Sequence, residues 1–466
     1  MEREKLSSRL GFILLSAGCA IGLGNVWKFP YLSAKYGGAL FILIYLAFLV
    51  ILGIPVMLME LAVGRASKKS IVSSFDTLAP EKKAWKGAKL LSLGNFLLMA
   101  FYVPVSGWFI YYLFQMISGN LNGLTDMGVS GAFFGGFVNG GNSSAILQIV
   151  FALVLIVGCF TVCGLGLKKG VENVTKYIML GLFVLIIFMV IYSLTLSGAK
   201  DALKAYLIPS IEGLKKGDYN VFELISAAMG QAFFTLGLGI GSIGIFGSYL
   251  DKKRSLLGET IRIVILDTSI ALMSGLIIFP ALYTYNPGGA EMSGPPLIFI
   301  ALSSVFANMA QPFGQIFGSI FFLFMCCAAI STVIAVFENI VSIVCDHFNI
   351  SRAKSCIING AIMLILVLPC IFGFSHLSET FNPLGAGTTV QDLEDFILSY
   401  NLLPIGCLLY TLFCGYKFGW GYENFEREVN AGEGAKLPKF LKPYVKFILP
   451  IIIVILFIFG YLSFFA

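Results

Sequence analysis

The segment from Gly18 to Pro30, GCAIGLGNVWKFP, puts Gly18, Gly22, Gly24, an asparagine and a proline inside the first long apolar stretch of the chain. A bilayer-spanning segment has to pair its backbone amides and carbonyls internally, and glycine and proline are the poorest helix formers. A continuous lipid-facing helix is therefore excluded here, and the freed backbone groups must face a cavity or a ligand. Phe234 to Gly241, FTLGLGIG, repeats the device inside a second apolar stretch. Two interrupted helices in one membrane chain point to a transporter's binding site near the bilayer midplane.

A chain of 466 residues that is 58% hydrophobic and 12% charged, with a mean hydropathy of +0.90, reads as a polytopic all-α membrane protein in a lipid bilayer. The net charge of +6 does not call for nucleic acid, because membrane topology explains its placement. MEREKLSSR leads into an apolar stretch without a small-residue cleavage site, so no cleavable signal peptide is expected. None of the ten cysteines falls in a predicted outer loop, and the only histidines are His347 and His376. Neither a disulfide scaffold nor a metal centre is expected from that inventory.

Apolar runs predict eleven spans, near 10–32, 38–63, 89–117, 145–163, 172–197, 222–249, 257–284, 312–345, 355–374, 395–416 and 444–465. With the N-terminus in the cytoplasm, all but six of the 31 basic residues lie on the inner side, and the C-terminus ends outside the cell membrane. The chain divides into a cytoplasmic segment 1–9, a first group of five spans over 10–197, an outer connection 198–221, a second group over 222–416, a cytoplasmic loop 417–443 and a last, peripheral span within 444–466. Five is odd, so the second group enters the membrane inverted, and each group opens with its broken helix. This is an inverted repeat that sets the two breaks face to face. The Gly-, Asn- and Ser-rich 118–144 reads as a loop, and 286–311 as a short helical lid over an outer vestibule.

Glu60, Asp267 and Glu338 are intramembrane carboxylates that each need a partner. Without a nucleophile or metal beside them they do not make an enzyme. The inverted geometry brings Asn25, the Ala20 carbonyl and Thr235 toward Asp267, and the Gly18 and Ile21 carbonyls toward Ser331 and Thr332. Such oxygen clusters suit monovalent cations. Helix N-termini freed at the breaks suit a carboxylate, to which Tyr102 can donate its phenol.

These stretches, SRLGFILLSAGCAIGLGNVWKFPY, GIPVMLMELAVGR, FYVPVSGW, GQAFFTLGLGIG, AAISTVIAVFE and the DF at Asp395, resemble the neurotransmitter:sodium symporter family over nearly the whole chain, most of all its bacterial amino-acid transporters with eleven spans. The resemblance implies a leucine-transporter-like fold and sodium-coupled symport of an amino acid by alternating access, in a monomer or weak dimer. It implies two sodium ions. The first would be held by Ala20, Asn25, Thr235, Asp267 and the substrate carboxylate, and the second by Gly18, Ile21 and Ala328 carbonyls with the Ser331 and Thr332 hydroxyls. Substrate would meet Leu23, Gly24, Tyr102, Phe234, Gly237 and Ile240, with Leu98, Thr332 and Val336 around its side chain and Phe234 as roof.

It further implies an inner gate of Arg3 and Asp346 beside Tyr249, and an outer gate of Lys28 and Asp395. The family usually has arginine at the position of Lys28, and a lysine lacks its two-pronged fork. Gly22 stands where amine transporters of the family carry aspartate, so a substrate with its own carboxylate is expected, and Gly237 and Ile240 leave room for a sizeable apolar or aromatic side chain. Asp267 replaces the asparagine of chloride-dependent members, so chloride is not expected to be needed. Leu180 replaces a common proline in the fifth span, which puts local unwinding there in question. A gated cation channel and an amino-acid sensor without transport are the competing readings.

Overall fold

The computed structural model describes residues 4–286, 294–377 and 380–465, and among them it is helical, without a sheet. Nine helices among the described residues are long and apolar enough to cross a membrane: α3 (Ala39–Ser67), α4 (Lys83–Ile117), α6 (Gly141–Gly164), α7 (Leu167–Ser193), α11 (Leu256–Tyr285), α13 (Phe313–Phe348), α14 (Arg352–Ser375), α15 (Val390–Gly415) and α17 (Leu441–Leu462). A tenth crossing is made by α1 (Arg9–Ala20) and α2 (Gly24–Lys35), which meet at a 60° bend across the predicted break. Ser8 starts α1 by accepting the Gly11 amide at 2.9 Å, which satisfies one of the unpaired amides of the first turn.

The second break has a different form. Helix α9 (Val221–Leu236) ends at Gly237, left-handed at φ 57°, and the chain turns through Gly239 and Gly241, also at positive φ, before α10 (Gly244–Ser248). Three positive φ angles in five residues are available to glycine at little cost, which is why the FTLGLGIG pattern is needed at this place. Together α9 and α10 occupy the position of the predicted sixth span.

The loops carry more structure than their composition suggests. The composition of 118–144 predicts a loop, yet α5 (Met127–Asn139) forms there, its first turn capped by Asp126 through the Gly128 amide at 2.7 Å. Its aromatic face seats the helix, with Phe137 stacked on Tyr111 at 4.0 Å and Phe134 stacked on Phe299 at 5.3 Å. Phe299 belongs to α12 (Leu297–Asn308), the helix expected in the 286–311 connection. The polar 198–221 connection holds α8 (Ala199–Leu207). The 417–443 stretch includes α16 (Tyr422–Val429), docked on the end of α3 by a buried Arg65–Glu428 pair at 2.7 Å. The fifth span, α7, runs through Leu180 and opens with a wider π-helical turn over Leu167–Glu172. The last helix, α17, packs beside α9 and α15 and leaves most of its surface outward.

Candidate functional site

Both breaks open on one cavity of about 40 Å³ between α2, α4, α9 and α15. Of the substrate residues predicted from the sequence, Leu23, Gly24, Leu98, Tyr102, Phe234, Gly237, Ile240 and Thr332 line it, together with Ala20, Asn25 and Thr235. Val336 is buried one turn beyond Thr332 on α13 and is outside the lining. Cys19, Leu398 and Leu403 line the cavity without having been singled out by the sequence. Leu398 lies one helical turn after Asp395, the one sequence signal that points toward it.

Close approach explains two of the glycines. A Cβ on Gly22 would stand 2.7 Å from the Tyr102 hydroxyl and 3.3 Å from Thr332 Oγ1, and one on Gly24 would stand 2.6 Å from the Phe234 ring. The Tyr102 hydroxyl accepts the Leu23 amide at 3.2 Å, so the phenol sits at the positively polarised start of α2.

Asp267, on α11, is wholly buried, and its carboxylate receives Asn25 Nδ2 on one oxygen and the Thr235 hydroxyl on the other, both at 2.9 Å. Asn25 is itself held by the Gly22 amide, which donates to its Oδ1 at 3.1 Å. Three of the four residues expected around a first cation thus touch one another, and Ala20 lines the same cavity. No lysine or arginine pairs with Asp267 among the described residues. A carboxylate this deep without a cationic partner costs several kcal/mol, which a bound monovalent cation would offset.

At the other side of the first break, Thr332 Oγ1 lies 3.0 Å from the Gly18 carbonyl, 2.9 Å from that of Ile21 and 3.2 Å from that of Ala328. Ser331 donates to the Ala328 carbonyl at 2.9 Å. One hydroxyl hydrogen can serve one of those three carbonyls well. The remaining oxygens face each other lone pair to lone pair, an arrangement suited to a hard cation and poorly satisfied by hydrogen bonds alone. The donor set therefore fits sodium. Gly18 also lets α1 press on α7, since its Cβ would meet Thr175 and Met179 at 3.1 and 3.2 Å.

The other intramembrane carboxylates find partners that the sequence does not assign. Glu60 accepts the Gly239 amide at 2.5 Å and holds the second break from below. Glu338 pairs with Arg352 and accepts the Tyr249 hydroxyl at 2.5 Å. Arg352 also reaches the Cys163 carbonyl at 2.6 Å and Glu4 at 3.8 Å, so it ties α6, α13 and the N-terminal segment together. Of the expected inner gate, Arg3 lies outside the described residues. Asp346 accepts the Ser70 amide at 2.7 Å and faces Lys69 at 3.9 Å.

The outer gate differs from the expectation. Lys28 and Asp395 form no ion pair in this conformation: the Lys28 ammonium lies 4.4 Å over the Phe234 ring, and Asp395 accepts the Ser399 hydroxyl at 2.6 Å. The ring face offers the ammonium a partner, while Ser399, one turn along α15, supplies the carboxylate with a local one.

Comparison with known proteins bears on the fold and the family. The family model described as "Sodium:neurotransmitter symporter family" matches residues 3–125 and 137–466. The chain is 32% identical to the uncharacterized sodium-dependent transporter YhdH of Bacillus subtilis (strain 168), over 98% of both chains, and 30% identical to an uncharacterized sodium-dependent transporter of Haemophilus influenzae, again over 98% of both. Among solved structures it is similar to the crystal structure of MhsT in complex with L-phenylalanine, with a TM-score of 0.86 and 36% identity over 98% of this chain and 100% of that one. The fold is leucine-transporter-like, two inverted five-helix repeats followed by an extra C-terminal helix. With its two broken helices, oxygen-lined niches and full-length match, the chain belongs to the sodium:neurotransmitter symporter family and is a sodium-dependent membrane transporter, not an enzyme.

Proposed function

We propose that this protein is a sodium-coupled symporter of an amino acid with a hydrophobic or aromatic side chain, working by alternating access and without chloride. The observation that carries the reading is the Thr332 hydroxyl set among three main-chain carbonyls, a cage whose oxygens need a cation. The other niche, around Asp267, is reserved for a sodium ion completed by the substrate carboxylate, and Leu23, Gly24 and Tyr102 receive that carboxylate. Asp267 and the substrate carboxylate then provide one anionic group for each sodium ion, so chloride is not needed as a further counter-charge. The space at Gly22 is bounded by Tyr102 and Thr332 and, among the described residues, by no acidic side chain that could receive a simple amine. The apolar wall of Leu98, Phe234, Ile240, Leu398 and Leu403 favours a hydrophobic side chain, and the related MhsT was solved with L-phenylalanine.

The energetics are sufficient. A tenfold sodium gradient supplies about 1.4 kcal/mol per ion, and about 100 mV of membrane potential adds roughly 2.3 kcal/mol per charge. Two ions therefore sustain on the order of a 10⁵-fold accumulation of a zwitterion. The reading places the N-terminus in the cytoplasm and the C-terminus outside the cell membrane, in a monomer or weak dimer.

The test is binding of the twenty amino acids to purified protein in sodium chloride, sodium gluconate and choline chloride, followed by uptake into proteoliposomes. Saturable binding and uptake of apolar amino acids in both sodium buffers, and none in choline, is expected. Sodium conductance without solute uptake, or capture indifferent to sodium, would refute the proposal.

A further inference from the structure

Behind the cavity wall, α4 presents Gly94 and Asn95, neither of which touches the cavity. We propose that this pair sets the largest substrate side chain the transporter accepts, by fixing from behind how far Ile240 projects into the site. The inference rests on the amino-acid reading above.

Ile240 belongs to the turn between α9 and α10, where carbonyls have lost their helical partners. Asn95, wholly buried, supplies one: its Nδ2 donates to the Ile240 carbonyl at 2.9 Å. Its Oδ1 is held in turn by the Ser242 hydroxyl at 2.9 Å and Asn339 Nδ2 at 2.8 Å, and Asn339 also reaches the Gly241 carbonyl at 3.4 Å. With both ends of its amide engaged, Asn95 has one orientation, and the turn has one depth. Retreat on the far side is blocked, because Gly239 already abuts α15 so closely that a Cβ would lie 2.2 Å from the Leu403 carbonyl.

Gly94 then decides where the Ile240 side chain rests. A Cβ at position 94 would stand 2.3 Å from Ile240 Cγ2 and 3.1 Å from its Cβ. Ile240 packs on bare backbone, and on the other side it lines the cavity with Leu98, one turn along the same face of α4. A single methyl at position 94 has to push Ile240 toward the substrate, since the turn behind it is pinned.

The experiment is competition by alanine, valine, leucine, phenylalanine and tryptophan against the labelled amino acid that binds the wild type best. In Gly94→Ala the loss of affinity is expected to grow with side-chain size, reaching about tenfold for the largest side chains bound by the wild type and staying within about twofold for alanine. The sodium concentration for half-maximal binding stays unchanged. Adding Ile240→Ala removes the 2.3 Å contact with Cγ2, leaves the tighter-than-usual 3.1 Å contact with Cβ, and so restores most of the affinity for large side chains. It also keeps the test available should the single variant not fold, because the double variant must then accept large side chains less well than Ile240→Ala alone. A uniform loss across the five amino acids, or no loss, overturns the inference. Absence of sodium-dependent binding by the wild type would instead overturn the amino-acid reading on which it rests.

Discussion

Replacing Thr332 with valine removes one oxygen from the carbonyl cage while keeping the side chain's shape, its methyl group and its place on α13. With sodium bound, the hydroxyl turns a lone pair to the ion, an interaction with a charged group worth about 1.5–3 kcal/mol. Without the ion it makes a neutral hydrogen bond to one of the carbonyls of Gly18, Ile21 and Ala328, worth about 0.5–1.5 kcal/mol. Valine loses both, so the change in sodium affinity is their difference, about 1–1.5 kcal/mol, or roughly tenfold. The assay is binding of a labelled amino acid as sodium is titrated against choline. The half-saturating sodium concentration should rise about tenfold, while substrate affinity in saturating sodium stays within about twofold. A sodium curve superimposed on that of the wild type would show that the hydroxyl is no ligand, and the cage would revert to interhelical packing.

Asp267→Asn removes one of the two anionic groups that face the two sodium ions, so uptake should vanish in gluconate buffer and return only with chloride; unchanged chloride-free uptake contradicts the counter-charge role of Asp267. Gly22→Ala drives a methyl to 2.7 Å from the Tyr102 hydroxyl, and overpacking of about 1–3 kcal/mol should weaken substrate binding about tenfold or more in calorimetry. Lys28→Met keeps the aliphatic stem but loses the ammonium over Phe234, worth about 0.5–1 kcal/mol, so bound substrate should dissociate about two to five times faster, with Lys28→Arg close to wild type. Identical off-rates for Lys28→Met and the wild type would remove the cation from the roof.

Features that act through the backbone and the bilayer are legible in the order of residues alone. The breaks at Gly22 and in FTLGLGIG follow from glycine spacing in an apolar stretch, because a spanning segment that cannot pair its backbone has one outcome in lipid. Odd grouping of the spans then implies inversion, and the ordered motifs identify the family. Residues expected at the cation niches lie close together across α1, α2, α9, α11 and α13, because the breaks set their free backbone groups and Asn25 and Thr235 opposite Asp267 and Thr332 of continuous helices. The helix Met127–Asn139 escapes detection: its Gly-rich composition reads as loop, and it forms on aromatic surfaces that Tyr111 and Phe299 supply from elsewhere.

By itself, then, the sequence determined a broken-helix membrane transporter and the oxygen-bearing residues beside its breaks, because those signals are local and the bilayer punishes every alternative. Only the tertiary structure decided who partners whom. Glu338 found Arg352, Lys28 chose the Phe234 ring over Asp395, and Asn95 took the Ile240 carbonyl from the turn of a distant helix. Such pairings join positions far apart along the chain, and no pattern within one segment records which polar atoms will be left to satisfy one another once the helices pack.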